Sequence, residues 1–154
     1  MAHITHTVID DDKKFIIDGN TRKITNLTNS SPSIMQFDHN SEELSFQVPR
    51  IIEGHDMMQC DELQIIFKNT GAGVGIPKGT FSAGTEVITN RVLNEAENVI
   101  NFSWKIPEKA TKYPGPLTFQ FKFICYDDNE ETYRLLTDQF AFITILPSVD
   151  ISKA

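Results

Sequence analysis

The chain has 154 residues, with 14 basic and 21 acidic side chains and a formal net charge of -7 at pH 7. This length fits a single domain, residues 1–154, whose hydrophobic core needs neither a disulfide nor a metal to fold. The acidic balance argues against a nucleic-acid partner, because phosphate binding depends on clustered Lys and Arg. It also disfavours contact with anionic membranes.

The N-terminal residues have no basic region followed by an apolar stretch, so the sequence predicts no signal peptide. No apolar run approaches the ~20 residues that span a bilayer. His3–Ile9 is a weak strand candidate. His3 and His6 lie three positions apart in it, so their side chains point to opposite faces and predict no metal site.

Both ends of the chain are modestly apolar and are candidates for docking onto the sheet edge of a neighbouring protein. The docking segments are residues 1–12 and 147–154, and the candidate contact residues are Ile4, Val8, Ile9, Val149 and Ile151. Pairing of these segments within the chain is an alternative that the sequence leaves open.

Alternation of apolar and polar residues predicts strands along most of the chain. The clearest runs are Leu44–Val48, Leu63–Phe67, Ile100–Ile106 and Leu117–Cys125. Weaker candidates are Lys14–Asp18, Arg22–Leu27, Ile34–Phe37 and Thr85–Leu93. Thr132–Leu146 predicts one long strand or two short ones. Its apolar residues occupy both faces, which is typical of a strand that is covered on both sides or passes between sheets.

Turn and helix signals complete the pattern. Pro114-Gly115-Pro116 predicts a break before the Leu117 strand, and Asp127–Glu131 predicts a solvated hairpin turn. Single helical turns are predicted at His55–Cys60 and Glu108–Tyr113. Many short strands with little helix indicate an all-β fold, a β-sandwich or a barrel, with at most one or two single-turn helices.

The most loop-like stretch is Gly71–Gly84, which begins Gly-Ala-Gly-Val-Gly. A phosphate-binding loop would have to lead into a helix, whereas Ile76-Pro77-Lys78-Gly79-Thr80 breaks helix. The acidic runs Asp10–Asp12 and Asp127–Glu131 lack the ligand spacing and glycine of a calcium loop. The sequence therefore predicts no cofactor and no metal site.

Two cysteines are present, Cys60 and Cys125, and this count favours free buried thiols in a reduced protein. A single Cys60–Cys125 bridge stays open as an alternative. Cys60 follows His55 by five positions, but proximity in sequence does not create an activated thiolate. Because no motif of acyl or metal-assisted hydrolysis occurs, we predict no catalytic residues and no enzyme activity.

Aromatic residues are the candidates for ligand contact. Trp104 is in phase with its apolar neighbours and is predicted to lie in the core. Tyr113, Tyr126 and Tyr133 are out of phase or near turns, so they are candidate surface contacts for a glycan or a protein. Their placement on one face would support a carbohydrate- or receptor-binding module, with a host glycan as ligand.

Several motifs in their order resemble a known group of proteins. They are Asp38–Arg50, Glu53–Asp56, Cys60-Asp61, Phe102–Ile106, Ala110–Gly115 and Leu117–Phe121. The series resembles small structural proteins of tailed phages and prophages of Firmicutes and gut bacteria, and is similar to the N-terminal domain of phage baseplate upper proteins. The resemblance spans about Ile24 to Ile145.

The resemblance implies a virion component that is made in the host cytoplasm. It implies a non-enzymatic structural protein of the tail, baseplate, fibre or capsid surface, built as an immunoglobulin-like antiparallel β-sandwich. Its partners would be copies of itself and other virion proteins. The family carries no catalytic residues to transfer, and the Gly71–Gly84 loop departs from the resemblance.

Overall fold

The computed structural model describes residues 9–149. Its strands, in chain order, are β1 (Lys14–Ile17), β2 (Ile24–Asn26), β3 (Ser33–Met35), β4 (Glu43–Pro49), β5 (Ile51–Ile52), β6 (His55–Asp56), β7 (Glu62–Thr70), β8 (Phe81–Ile88), β9 (Val92–Asn94), β10 (Val99–Lys105), β11 (Gly115–Asp127), β12 (Glu130–Leu136) and β13 (Phe140–Leu146). Two short 3₁₀ turns, Asp11–Lys13 and Glu108–Ala110, are the helical segments of this part of the chain. The predicted all-β sandwich is confirmed.

The strands form two main sheets and a small hairpin. The first sheet has the order β2-β1-β4-β10-β9, the second has the order β3-β13-β11-β7-β8, and β5 pairs with β6. β12 and β13 lie end to end along the side of β11 opposite β7. Thr137 joins them, because its N–H donates to Phe121 O at 3.0 Å and its Oγ1 accepts from Phe121 N at 2.9 Å.

Most neighbouring strands are antiparallel, as predicted, and two pairs are parallel. β1 runs parallel to β4, and β13 runs parallel to β3. Alternation of apolar residues indicates which face of a strand is buried but not its direction. The parallel pairs could therefore not be inferred from the sequence pattern.

Phenylalanine rings from both sheets fill the centre of the sandwich. Phe46 of the first sheet lies 5.2 Å from Phe15 and 5.4 Å from Phe102, measured between ring centroids. Phe121 of the second sheet meets Phe46 edge to face at 4.6 Å. Trp104 is 4% exposed, as predicted for a core residue. Each buried ring contributes about 1.5–3 kcal/mol by removal of apolar surface from water.

The helical turn predicted at His55–Cys60 is wrong. Glu53 and Gly54 have positive φ angles of 52° and 79°, so they form a two-residue turn that folds β5 onto β6. A non-helical turn follows. The Asp56 carboxylate stabilises it by accepting from Met58 N at 2.9 Å and from Arg50 Nε at 3.0 Å.

The single strand predicted at Thr85–Leu93 is also wrong. β8 ends at Ile88 in the second sheet, and β9 begins at Val92 in the first. Asn90 holds the crossing segment, because its side chain exchanges hydrogen bonds with the backbone of Ser103 at 3.1 Å. Side-chain bonding of this kind competes with strand pairing, and it ends the strand that alternation alone would extend.

Two predictions concern the C-terminal third of the chain. One is wrong, and the structure gives a physical reason for the other. The break at Pro114-Gly115-Pro116 is wrong, because β11 begins at Gly115 and pairs there with Ile145. In β13 the register shifts, since Leu117 pairs with Ile143 whereas Phe119 pairs with Phe140. The extra residue is a β-bulge, which changes the inward phase and explains why apolar residues occupy both faces of this run.

Candidate functional site

The edges of the two main sheets differ greatly in length. β2, β3 and β9 have three residues each. β12 has seven, among them the charged Glu130, Glu131 and Arg134. β8 has eight residues, and within residues 9–149 it pairs on one side only, with β7. Edge strands are usually short, charged or interrupted by proline, because their unpaired N–H and C=O groups attract other chains. β8 is therefore the described edge best suited to strand addition.

One face of β8 presents an uncharged row to solvent. The row consists of Phe81, Ala83, Thr85 and Val87, and all four are exposed, Phe81 and Val87 to 55% each. We call these four residues the β8 row. Lys68 of β7 contacts this row, with its Nζ 4.7 Å from the centroid of the Phe81 ring.

The opposite face of β8 anchors the strand to the sandwich. Gly84 pairs with Phe67, and a Cβ atom at position 84 would lie 2.7 Å from the Phe67 ring. Glu86, the one charged residue of β8, accepts a hydrogen bond from the indole Nε1 of Trp104 at 2.7 Å. These contacts hold the strand in place while its outer edge stays unpaired among the described residues.

A second surface is an open groove of about 360 Å³ beside the end of β13. It is lined by Ala72, Gly73, Val74, Ile76, Pro114, Gly115, Thr144, Ile145, Leu146 and Pro147. Leu146 is 40% exposed, and its register partner Met35 is 45% exposed. We call this surface the β13 groove. It brings the Gly-rich loop and the Pro-Gly-Pro segment together.

The loop that forms one wall of the groove is shorter than predicted. It spans residues 71–80, because Phe81–Gly84 belong to β8. Gly71 N donates to Thr80 O, and Ala72 N donates to Pro114 O, both at 2.8 Å. Backbone hydrogen bonds therefore fix both the neck of the loop and its contact with the start of β11.

Asn69 is a key residue that the sequence analysis missed. It is fully buried, and its side-chain amide holds the backbone of Tyr113 and Pro116 next to the groove. The signal was present, because Asn69 continues the inward-facing series Leu63, Ile65, Phe67. A polar residue in phase with a core series must satisfy its hydrogen bonds inside the protein.

The predicted docking residues lie in different parts of the chain. Ile9 is half-buried, and Val149 is 96% exposed and lies two residues beyond Pro147, the last residue of the β13 groove lining. Ile4, Val8 and Ile151 lie outside the described residues. The C-terminal candidate therefore follows the groove closely in sequence.

The three candidate tyrosines do not lie together, because Tyr113 is at the opposite end of β11 from Tyr126 and Tyr133. Tyr113 precedes β11, whereas Tyr126 lies near its other end, about 36 Å from Gly115 at the rise of an extended strand. Tyr133, on β12, stacks on His55 with ring centroids 3.6 Å apart, and its hydroxyl contacts Glu53 Oε1 at 3.2 Å. Burial, together with the Glu53 carboxylate, raises the pKa of Tyr133 to about 12. The structure does not assemble these residues into one aromatic platform.

His39 and the acidic turn after β11 serve local structure. His39 Nδ1 accepts a hydrogen bond from Glu108 N at 3.0 Å. Asp128 and Asn129 have positive φ and form the two-residue turn between β11 and β12. Within residues 9–149, no group of three or more His, Cys, Asp or Glu side chains is placed to hold a metal ion. His3 and His6 lie outside the described residues.

Comparison with known proteins gives no assignment. No family model matches the chain, and no curated protein matches it significantly. Among the described residues, no helix has the length and apolar character needed to cross a membrane.

Proposed function

We propose that this chain is a non-enzymatic structural module of a tailed-phage virion that works through protein–protein contacts. The observation that carries the proposal is the β8 edge, which is long, uncharged on its exposed face and unpaired on its outer side within residues 9–149. The other described edges of the main sheets are short or charged, so β8 differs from them in both length and charge.

The occupant that we propose for this edge is β8 of a second copy. Pairing two β8 strands antiparallel about a two-fold axis at Gly84 opposes Phe81 with Val87 of the second copy, and Ala83 with Thr85. The β8 row is therefore self-complementary, which an isologous contact requires. Cross-strand pairs of aromatic and β-branched residues stabilise such a ladder by roughly 0.2–1 kcal/mol each.

Electrostatics favours this contact over other ways of bringing two copies together. The chain carries a net charge of -7, so unspecific approach of two copies is repulsive. The β8 row adds no charge of its own, and Glu86 points away from it toward Trp104. Charge repulsion between two copies is thus weakest at β8, where the backbone N–H and C=O groups of the outer edge are also unpaired.

The assignment to a virion rests on the resemblance of the motifs between Ile24 and Ile145 to phage baseplate and tail proteins. Such particles are built by repetition of identical contacts, and a self-complementary strand edge supplies one. Detection of this chain by mass spectrometry in purified particles from a strain that carries its gene would test the assignment. Its absence from all particle fractions would overturn it.

The edge contact is tested by light scattering of the full chain across a dilution series. We expect the wild type to form dimers or larger assemblies, and Val87→Lys to raise the dissociation constant about tenfold or more, because a lysine on an edge strand opposes pairing. Val92→Lys is the matched control, since Val92 is an exposed valine on the short edge strand β9. A wild type that stays monomeric, or equal effects of the two variants, would overturn the β8 contact.

A further inference from the structure

The two cysteines, which lie far apart in the sequence, are neighbours in the structure. Cys60 Sγ and Cys125 Sγ are 3.3 Å apart, although the residues are separated by 65 positions. Both are free thiols; Cys60 is buried and Cys125 is half-buried. A disulfide has an S–S distance of about 2.05 Å, so closure needs the sulfur atoms to approach by only about 1.2 Å.

Hydrogen bonds on both sides hold this pair together. Arg91 Nη1 donates to Met57 O at 2.6 Å and Nη2 donates to Cys60 O at 2.9 Å, which fixes the turn that precedes β7. Across the sheet, Tyr126 N donates to Asp61 Oδ2 at 2.7 Å, at the bulge that follows Cys125. The backbones that carry the two sulfur atoms are thus joined independently of any covalent bond.

We propose that Cys60 and Cys125 form a site of reversible oxidation, at which a low-molecular-weight disulfide such as glutathione disulfide closes an intramolecular bond. This proposal is independent of the docking edge and of the virion assignment. It concerns a modification that the chain undergoes whichever partner it binds.

The reaction proceeds in two exchange steps. Cys125, the more accessible thiol, loses its proton to water, and its sulfur attacks the small disulfide, which releases one small thiolate and leaves a mixed disulfide on Cys125. Cys60 then loses its proton, and its sulfur attacks Cys125 Sγ and displaces the second small thiolate. Two protein thiols are oxidised to one disulfide, and one small disulfide is reduced to two thiols.

The surroundings of the two sulfur atoms determine this order. Burial, and then the adjacent Cys125 thiol, raise the pKa of Cys60 to about 12, so Cys60 provides little thiolate to solvent. A sulfur held at 3.3 Å from a mixed disulfide, however, needs no diffusion to reach it. We therefore expect the first step to depend on access to Cys125 and the second to follow within the molecule.

The test treats the full chain with graded ratios of reduced and oxidised glutathione, followed by intact-mass measurement and alkylation of free thiols. We expect both thiols to disappear together, with a mass loss of about 2 Da and no retained glutathione. The thermal midpoint should rise by at least about 5 °C, because the bond constrains the unfolded chain. Reduction should reverse both changes.

Single variants identify the role of each sulfur. In Cys60→Ser the reaction should stop at a glutathione adduct on Cys125, whereas in Cys125→Ser the buried Cys60 should stay unmodified. Retained glutathione on the wild type, a disulfide between two chains, or two thiols that resist every ratio would each overturn the proposal. The wild-type measurement decides the matter even where a variant fails to fold.

Discussion

The side-chain amide of Asn69 brackets the backbone of Tyr113, with Oδ1 accepting from Tyr113 N at 2.7 Å and Nδ2 donating to Tyr113 O at 3.0 Å. Nδ2 also donates to Pro116 O at 3.3 Å. A buried side chain of β7 therefore aligns the start of β11 and one wall of the β13 groove.

Replacement of Asn69 by Asp should destabilise the protein by about 3 kcal/mol or more. A carboxylate there would face the carbonyl oxygens of Tyr113 and Pro116 without donating to them, and its charge would be buried. Urea unfolding followed by tryptophan fluorescence measures the change. Asn101→Asp is the control, because Asn101 is an exposed asparagine on β10. Equal losses in both variants would contradict the bracketing role of Asn69.

Gly115→Ala should destabilise the protein by about 3 kcal/mol. Gly115 has φ 131°, and a Cβ atom there would lie 2.3 Å from Thr70 O, so β11 would have to move away from β7. Gly54→Ala is the matched control, because Gly54 also has a positive φ but has nothing within 4 Å of its Cβ position. The difference between their unfolding free energies isolates the steric contribution, and a difference near zero would refute it.

Glu86→Ala should cost about 1–3 kcal/mol, because the indole N–H of the buried Trp104 would lose its acceptor. The same change should alter the near-ultraviolet circular dichroism of the single tryptophan. Glu97→Ala, a substitution in the turn between β9 and β10, is the control and should leave both measurements unchanged. Equal stability of the Glu86→Ala variant and the wild type would show that this bond does not tie β8 to the first sheet.

Tyr133 makes stability depend on pH at the alkaline end. Its pKa is raised to about 12 in the folded protein, against an ordinary value of about 10, so folding favours the neutral phenol. This contribution is complete below pH 10 and is lost as the pH rises toward 12. The stability of the wild type relative to Tyr133→Phe should therefore fall across that window. A phenol absorbance step that is lost in Tyr133→Phe but centred near pH 10 would contradict the shift.

Much of the sandwich can be predicted from alternation, and particular residues show where this prediction ends. Leu117, Phe119, Phe121 and Phe123 lie inward as expected, because a period of two fixes the face of a regular strand. In β13 the bulge inserts one residue, so alternation on one side of the bulge does not predict which residues face inward on the other side. Strand direction could not be predicted either, because the local sequence does not indicate that the strands of Phe15 and Phe46 pair in parallel.

The candidate surfaces were less predictable than the core. The unpaired edge of β8 depends on where the chain crosses between sheets, and only the fold reveals that Asn90 ends the strand there. The meeting of Cys60 and Cys125 likewise follows from the register of β7 on β11. Val149, by contrast, was predicted at a docking segment from its apolar character; it is exposed, and its docking role stays a prediction.

The loop of residues 71–80 connects the β13 groove to the β8 edge. One of its ends is tied to Pro114 beside the β13 groove, and its other end continues directly into Phe81, the first residue of β8. The β13 groove and the β8 edge are thus joined by one short segment. We expect a change in the groove wall to alter the strength of the strand addition proposed at β8, and by thermodynamic reciprocity strand addition should alter the conformation of the groove wall.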